Sequence, residues 1–434
     1  MTIIVNEKRS RTFSRVRPLI LCDEAVVTLL LVVGLCAPTS VNGEMSTLFM
    51  TAIFAVLLGL LLYLVLRHGA RPGAVMFISL PIMIVMSAST ILSLSIHDFR
   101  FGWGIFAEFG LVALLFALDL RHVRPGRVVN AAFVIANVLN IAAGIAILVG
   151  NDWIAQFLTA FYTQFYPELV PTMLSLHKPV LTFGTHSLAG LFLYLFFWLN
   201  WETYRIRGGR LALLFAVTEF ILLLTVTSFT SFALAALALA QMGLWLWKRS
   251  RKLFAVATVS IALMGFLGTH LLGDEVSTFG DAPVLIGALL NSNLSGPLAR
   301  YGPGGDLRAT INYWVNHPFS PVGFTTSSSI YIVDSGPLEY LLRGSIPLLL
   351  LMYAGLYRFL RYNLSSRYHA LTLFFVIVAF ETGFTALSYF RSAYLLAFFV
   401  VYLNQFTPAF KWRNRTHGLI RCNQHYGSQV RTAS

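Results

Sequence analysis

The chain has 434 residues, 57% of them hydrophobic and only 11% charged, with a mean hydropathy of +0.73. These fractions exclude an ordinary soluble domain and mark an all-α polytopic membrane protein. Its three cysteines, Cys22, Cys36 and Cys422, have no spacing that makes a disulfide framework or a metal site, and the net charge of +13 is a topology signal with affinity for anionic membrane lipid; no nucleic acid is implied.

Residues 1–24 are a basic segment without a small-residue cleavage site, so the first apolar run is read as a retained helix. Runs long enough to cross ~30 Å of hydrocarbon fall at 25–43, 48–66, 74–96, 101–120, 128–149, 187–204, 211–227, 229–247, 253–272, 345–360, 370–388 and 391–406. Lys and Arg collect in cytoplasmic loops. With the N-terminus inside, twelve spans place 25 of the 31 basic residues in cytoplasmic segments. One span more or fewer would destroy that alternation. The sequence thus predicts a single transmembrane domain over 25–406, both termini cytoplasmic, and a basic tail at 407–434.

Two outer segments are long, 150–186 and 273–344. A structureless loop of the second one's length is improbable without a function. Within it, Leu307, Ile311, Trp314 and Val315 recur at helical spacing until His317-Pro318, which predicts an interfacial helix over 306–316 with Arg308 and Asn312 on another face. A second short helix is predicted to open at Pro337, carrying Glu339 and Arg343.

Six cations remain on the outer side: Arg100, Lys178, Arg300, Arg308, Arg343 and Arg391. Arg100 is read as paired locally with Asp98. The other five would suit a phosphate or pyrophosphate, which guanidinium binds bidentately. His186 and His317 are outer-face candidates too. Glu108, Glu219 and Glu381 fall inside predicted spans, where an ionisable group marks either a pathway or an interhelical hydrogen bond. The many aromatic residues are read as lipid-facing belt and packing.

Three segments, in order, resemble the O-antigen ligase and polymerase superfamily, the Wzy-type membrane glycosyltransferases. They are KPVLTFGTHSLAGLFL (178–193), LLTVTSFTSFALAAL (223–237) and RATINYWVNHPFSPVGF (308–324), the last followed by PLEYLLRGSIPLLLL entering the next span. The chain departs from the family pattern where Phe229 follows Ser228 in place of a cation, and where Pro321 stands for a glycine. The resemblance implies a glycosyltransferase at the outer face of the bacterial cytoplasmic membrane, using an undecaprenyl-pyrophosphate-linked oligosaccharide as donor. Its wording is nearest to exopolysaccharide polymerases of the xanthan-like gum type, whose partners would include chain-length regulator and export proteins. On that reading Lys178, His186, Arg300, Arg343 and Arg391 bind the pyrophosphate, and Arg308 stabilises the departing one. His317, His186, Asp334 and Glu339 compete as the base. No cofactor or metal is called for. The alternatives are a ligase that transfers polymer to lipid A core and, in another class, a polysaccharide-precursor flippase or transporter.

Overall fold

The computed structural model describes residues 23–96, 99–163, 168–226, 228–252, 306–318, 321–326 and 335–406. The predicted span 253–272, the site candidates Arg300 and Asp334, and most of both basic termini lie outside these residues. The described chain is almost wholly helical: α1 (23–36), α2 (Thr47–His68), α3 (Pro72–Ile96), α4 (Trp103–Ala117), α5 (Arg127–Leu148), α6 (Asp152–Tyr162), α7 (Leu169–Ser175), α8 (His186–Arg207), α9 (Arg210–Thr225), α10 (Phe229–Arg249), α11 (Asp306–Asn316), α12 (Gly336–Asn363), α13 (Arg367–Glu381) and α14 (Phe390–Leu403). Two minimal ladders join β1 (Ser40–Val41) to β2 (Glu44–Met45) and β3 (Arg100–Phe101) to β4 (Thr325–Thr326), both antiparallel.

Among the described residues, five helices are long and apolar enough to cross a membrane: Thr47–His68, Pro72–Ile96, Arg127–Leu148, Thr230–Arg249 and Gly336–Asn363. Every other apolar run except 253–272 also coincides with a helix, but a shorter or less apolar one. The ends are set by local chemistry. Ser46, Asn151, Thr185, Ser228 and Ser366 each accept an amide of the first turn that follows, which satisfies a donor the helix cannot.

Two boundaries differ from the sequence reading. The first run stops at residue 36 because the chain turns into the β1–β2 hairpin, with Asn42 at φ 50° and Gly43 at φ 86°. The run expected over 370–388 ends at Glu381, whose Oε1 accepts from Ala386 N at 3.2 Å and Leu387 N at 2.7 Å and so folds the following loop back. The short helix expected at Pro337 and the span expected at 345–360 both form as the two parts of α12, divided as expected by a break at non-helical Gly344 and Ser345. Pro347 causes this break, since a proline ring clashes with the carbonyl four residues earlier, that of Arg343.

α8 and α14 are apolar on all sides and buried almost throughout, as expected of helices enclosed by others. The aromatic run LFLYLFFW of α8 is therefore packing rather than belt: Phe192 lies flat on Phe183 at 4.3 Å between centroids, and Phe196 meets Phe399 edge-on at 5.8 Å. The two helices run parallel. Arg391 of α14 reaches the Thr182 carbonyl just ahead of α8, while at their other ends Arg207 donates to Gln405 at 3.0 Å. The rest of the far end is tied together in the same way, with Asn363 bonding the backbone of Leu118 and Leu120, and Glu202 near His369 at 3.3 Å. Past the end of α4 there, burial alone would raise the Asp119 carboxyl, but hydrogen bonds and charge from Arg121 outweigh it and hold it below the usual range.

Candidate functional site at the hairpin end

The described segment 321–326 is not helical: Pro321 lacks an amide donor and Gly323 sits at φ 63°. Three of its backbone groups find partners on α12, on α3 and at the residue that precedes α4. Val322 N donates to Leu342 O at 2.9 Å, Phe324 N to Thr90 Oγ1 at 3.1 Å, and Gly102 N to Phe324 O at 2.9 Å. A Cβ on residue 323 would lie 2.6 Å from Ser89 O and 2.7 Å from Thr90 Cα, so only glycine lets the strand approach α3 this closely. The Phe324 ring seals the contact edge-on against Phe109 at 5.0 Å.

Arg343 closes this clamp. Its Nη1 donates to Gly323 O at 3.1 Å and Thr325 O at 2.8 Å, and its Nε meets Glu339 Oε1 at 3.2 Å. Both side chains are buried, 6% exposed. Arg343 and Glu339, expected at the substrate, are occupied in holding the loop. Half-buried Glu108 lies within electrostatic range of both, a proximity its sequence position inside an apolar run did not disclose.

The α11 helix forms where predicted and packs through Leu307, which is buried with Val322 and Leu342. Val315, expected on the apolar face, is 59% exposed, and buried Thr310 takes part in the packing face instead. Arg308 and Asn312 are both exposed, as their shared face required. His317 follows the last turn and is exposed. Its ring stacks on Tyr313 at 4.8 Å, with Nδ1 3.1 Å from the Tyr313 carbonyl. A carbonyl can only accept, so Nδ1 carries the proton and Nε2 presents a lone pair. Ser345, in the α12 break, donates to Pro318 O at 2.9 Å and fixes this turn to the helix below. Nine residues of helical rise separate Arg308 from His317 by roughly 13 Å along the axis.

A second group lies at the mouth of the two central helices. The KPVLTFGTHS segment makes a 3₁₀ turn at Leu181–Phe183, reverses at Gly184 (φ 71°) and starts α8 at His186 under the Thr185 cap. Arg391, fully buried in the first turn of α14, donates to the carbonyls of Thr182 and Ala37 and lies 5.4 Å over the Tyr162 ring. It therefore ties α1, α6 and the 181–183 turn together. Among the described residues no carboxylate pairs with it. Four polar atoms at these two helix starts are buried without a partner: Arg391 Nε, His186 Nδ1, Thr182 Oγ1 and Ser392 Oγ. Lys178 is half-buried and within electrostatic range of His186. Two parallel helix N-termini add their positive ends.

The loop clamp and this mouth are joined by Glu381. Its Oε1 accepts from Tyr340 OH at 2.6 Å, next to Glu339, and from the loop amides that lead to Arg391. A Cβ on Gly336 would lie 2.8 Å from the Glu381 carboxyl carbon, so the start of α12 is seated directly on it. Glu219 likewise takes an interhelical hydrogen bond, from Asn200 at 2.9 Å, whose amide also reaches Asn137 at 2.5 Å. Lys178 and His186 are thus brought within electrostatic range of each other and Arg391 to the 181–183 turn ahead of them, Glu339 and Arg343 are paired apart from them, and Arg308 and His317 stand on the exposed helix. Tyr162, Thr182 and Tyr340 were not singled out by sequence, because each owes its role to a distant segment. No family model, no curated protein and no solved structure matches this chain.

Proposed function

We infer that this chain is a membrane glycosyltransferase that joins oligosaccharide units carried on a lipid diphosphate, an exopolysaccharide polymerase in the manner of the family its motifs resemble. The reading includes twelve spans with both termini in the cytoplasm of a bacterium, the hairpin end facing outward, and an undecaprenyl-pyrophosphate-linked donor. One observation carries it. A buried arginine with no carboxylate partner among the described residues stands, with orphan polar atoms, at two helix N-termini, an excess of positive potential and unfilled hydrogen-bonding capacity suited to a diphosphate.

In the reaction, an acceptor sugar hydroxyl attacks the anomeric carbon of the donor. The carbon–oxygen bond to the diphosphate breaks, its electron pair leaves with that oxygen, and the hydroxyl proton passes to a base. Lys178 and His186 contact the diphosphate, and the field of Arg391 stabilises the charge that develops on it. Arg308 meets the same leaving group from the exposed helix. His317 Nε2, its tautomer set by Tyr313, takes the proton. Arg343 and Glu339 hold the 321–326 segment that positions the His317 turn.

The test is the lipid and polymer profile of a strain lacking the gene. Loss of long polymer with single lipid-linked units remaining on the outer leaflet is expected. Polymer that forms but is never attached to lipid A core would make the protein a ligase, and units trapped on the inner leaflet would make it a flippase.

A further inference from the structure

One cavity lies in neither group above. It is a groove of about 520 Å³ between the β1–β2 hairpin, α6 and α7, lined in its polar part by Asn42, Asp152, Gln156, Thr159, Ser175 and His177. That size falls within the roughly 300–1,000 Å³ of small-ligand clefts. We propose that this groove binds the neutral oligosaccharide portion of the lipid-linked substrate, an assignment that rests on the function inferred above for which oligosaccharide it is.

The chemistry of the lining selects the ligand. It offers carboxylate, carboxamide and hydroxyl groups, and among the described residues no lysine or arginine lines it. A phosphate or an acidic sugar would meet Asp152 with no cation to offset it. Sugar hydroxyls donate and accept at once, which matches this mixture. His177 supplies a directed acceptor: Nδ1 lies 3.3 Å from Leu148 O and so carries the proton, leaving a lone pair on Nε2. The rim is held in uncommon backbone geometry, with Asn42 at φ 50°, Gly150 at φ 71° and His177 at φ 54°. Gly150 is needed there, since a Cβ would lie 2.6 Å from the His177 ring. Strain of this kind gathers at ligand sites.

The placement of α6 sets the groove at the height where such sugars would be found. Its sequence divides into three stripes. Leu158 and Tyr162 are buried in the core; Trp153, Phe157 and Phe161, one turn apart, are 70%, 41% and 38% exposed; Asp152, Gln156 and Thr159 form the groove stripe. Trp153 stacks on Phe157 at 5.9 Å, and Phe157 lies 5.2 Å from Phe161. Such an aromatic row suits the membrane interface. With it in lipid, the polar stripe faces the aqueous side of the same helix. Tyr162, three residues beyond Thr159, is the ring beneath Arg391 and donates to Cys36 O at 2.8 Å. A chain of sugars leaving a diphosphate at that mouth would therefore run into the groove.

The test uses the full-length protein in lipid nanodiscs, fluorescently labelled, on a microarray of neutral and acidic bacterial oligosaccharides without lipid. Neutral oligosaccharides should be retained, and Asp152→Ala/Gln156→Ala should lower their retention at least tenfold. Both side chains are exposed, so folding should persist, which an unchanged melting temperature verifies. Retention of acidic glycans alone, no retention at all, or equal retention by the double variant would overturn the proposal. Sugar-free decaprenyl diphosphate, measured on the unaltered protein, separates the two readings. Its binding without glycan retention sinks the groove and leaves the polymerase, whereas glycan retention without diphosphate binding does the reverse.

Discussion

Arg343 and Arg391 are both buried, both near the hairpin end, and both donate to backbone carbonyls of distant segments. They differ in their counter-ion. Arg343 has Glu339 at 3.2 Å, while Arg391 has only the Tyr162 ring among the described residues. A paired buried charge is neutral from a distance and serves as a strut. An unpaired one remains costly in low dielectric, and it projects a field that an incoming anion can satisfy. The contrast separates an arginine that serves structure alone from one that, on the proposed function, also serves the ligand, something their positions in the sequence do not reveal.

The largest effect should come from breaking the pair. Arg343→Met leaves Glu339 buried and uncompensated, which costs roughly 3–5 kcal/mol. The change should appear as a lowered melting temperature in lipid, and adding Glu339→Met should recover much of it. If the double variant melts no higher than the single, the strut assignment is wrong. Next comes Arg391→Met, where the relief of an unpaired charge offsets part of the two lost carbonyl contacts. Its melting temperature should fall less than that of Arg343→Met, yet turnover should fall at least tenfold, about 1.4 kcal/mol. Equal losses of stability in the two variants would erase the comparison.

How much of this was legible can be judged from particular residues. Helices follow from the apolar runs, and α11 with exposed Arg308 and Asn312 follows from its periodicity. The turn-back at Glu381 and the hairpin at 40–45 did not follow, because each depends on a local geometry that hydropathy does not encode. The struts were the larger miss. The partners of Arg343 and Arg391 are carbonyls, which every residue possesses, so no spacing of side chains announces them. The outer cations were read as a single ligand shell; the structure divides them by burial instead.

A smaller effect is expected at Arg308, which stands exposed on α11. Arg308→Lys keeps the charge and loses the bidentate fork, so turnover should drop about three- to tenfold, less than with Arg308→Ala. Identical rates in all three proteins would remove Arg308 from the site. The smallest effect concerns the opposite end. Asp119 has a lowered folded value, so its contribution is present above the ordinary carboxylate value and fades as pH falls through the folded one. Because the Arg121 partner is one-third exposed, Asp119→Asn should cost no more than about 1 kcal/mol at neutral pH. The difference from the unaltered protein should vanish in acid. A difference that grows as pH falls would contradict the sign.

The central claim is that His317 and the cationic mouth together transfer sugar from a lipid diphosphate. Purified protein in lipid vesicles, given a synthetic lipid-diphosphate oligosaccharide, tests it most directly by the length of the lipid-linked product. Lengthened product should form without added nucleotide, and His317→Ala should slow it by roughly two to four orders of magnitude while donor still binds. Unlengthened donor with the unaltered protein, or near-normal turnover by His317→Ala, would contradict it.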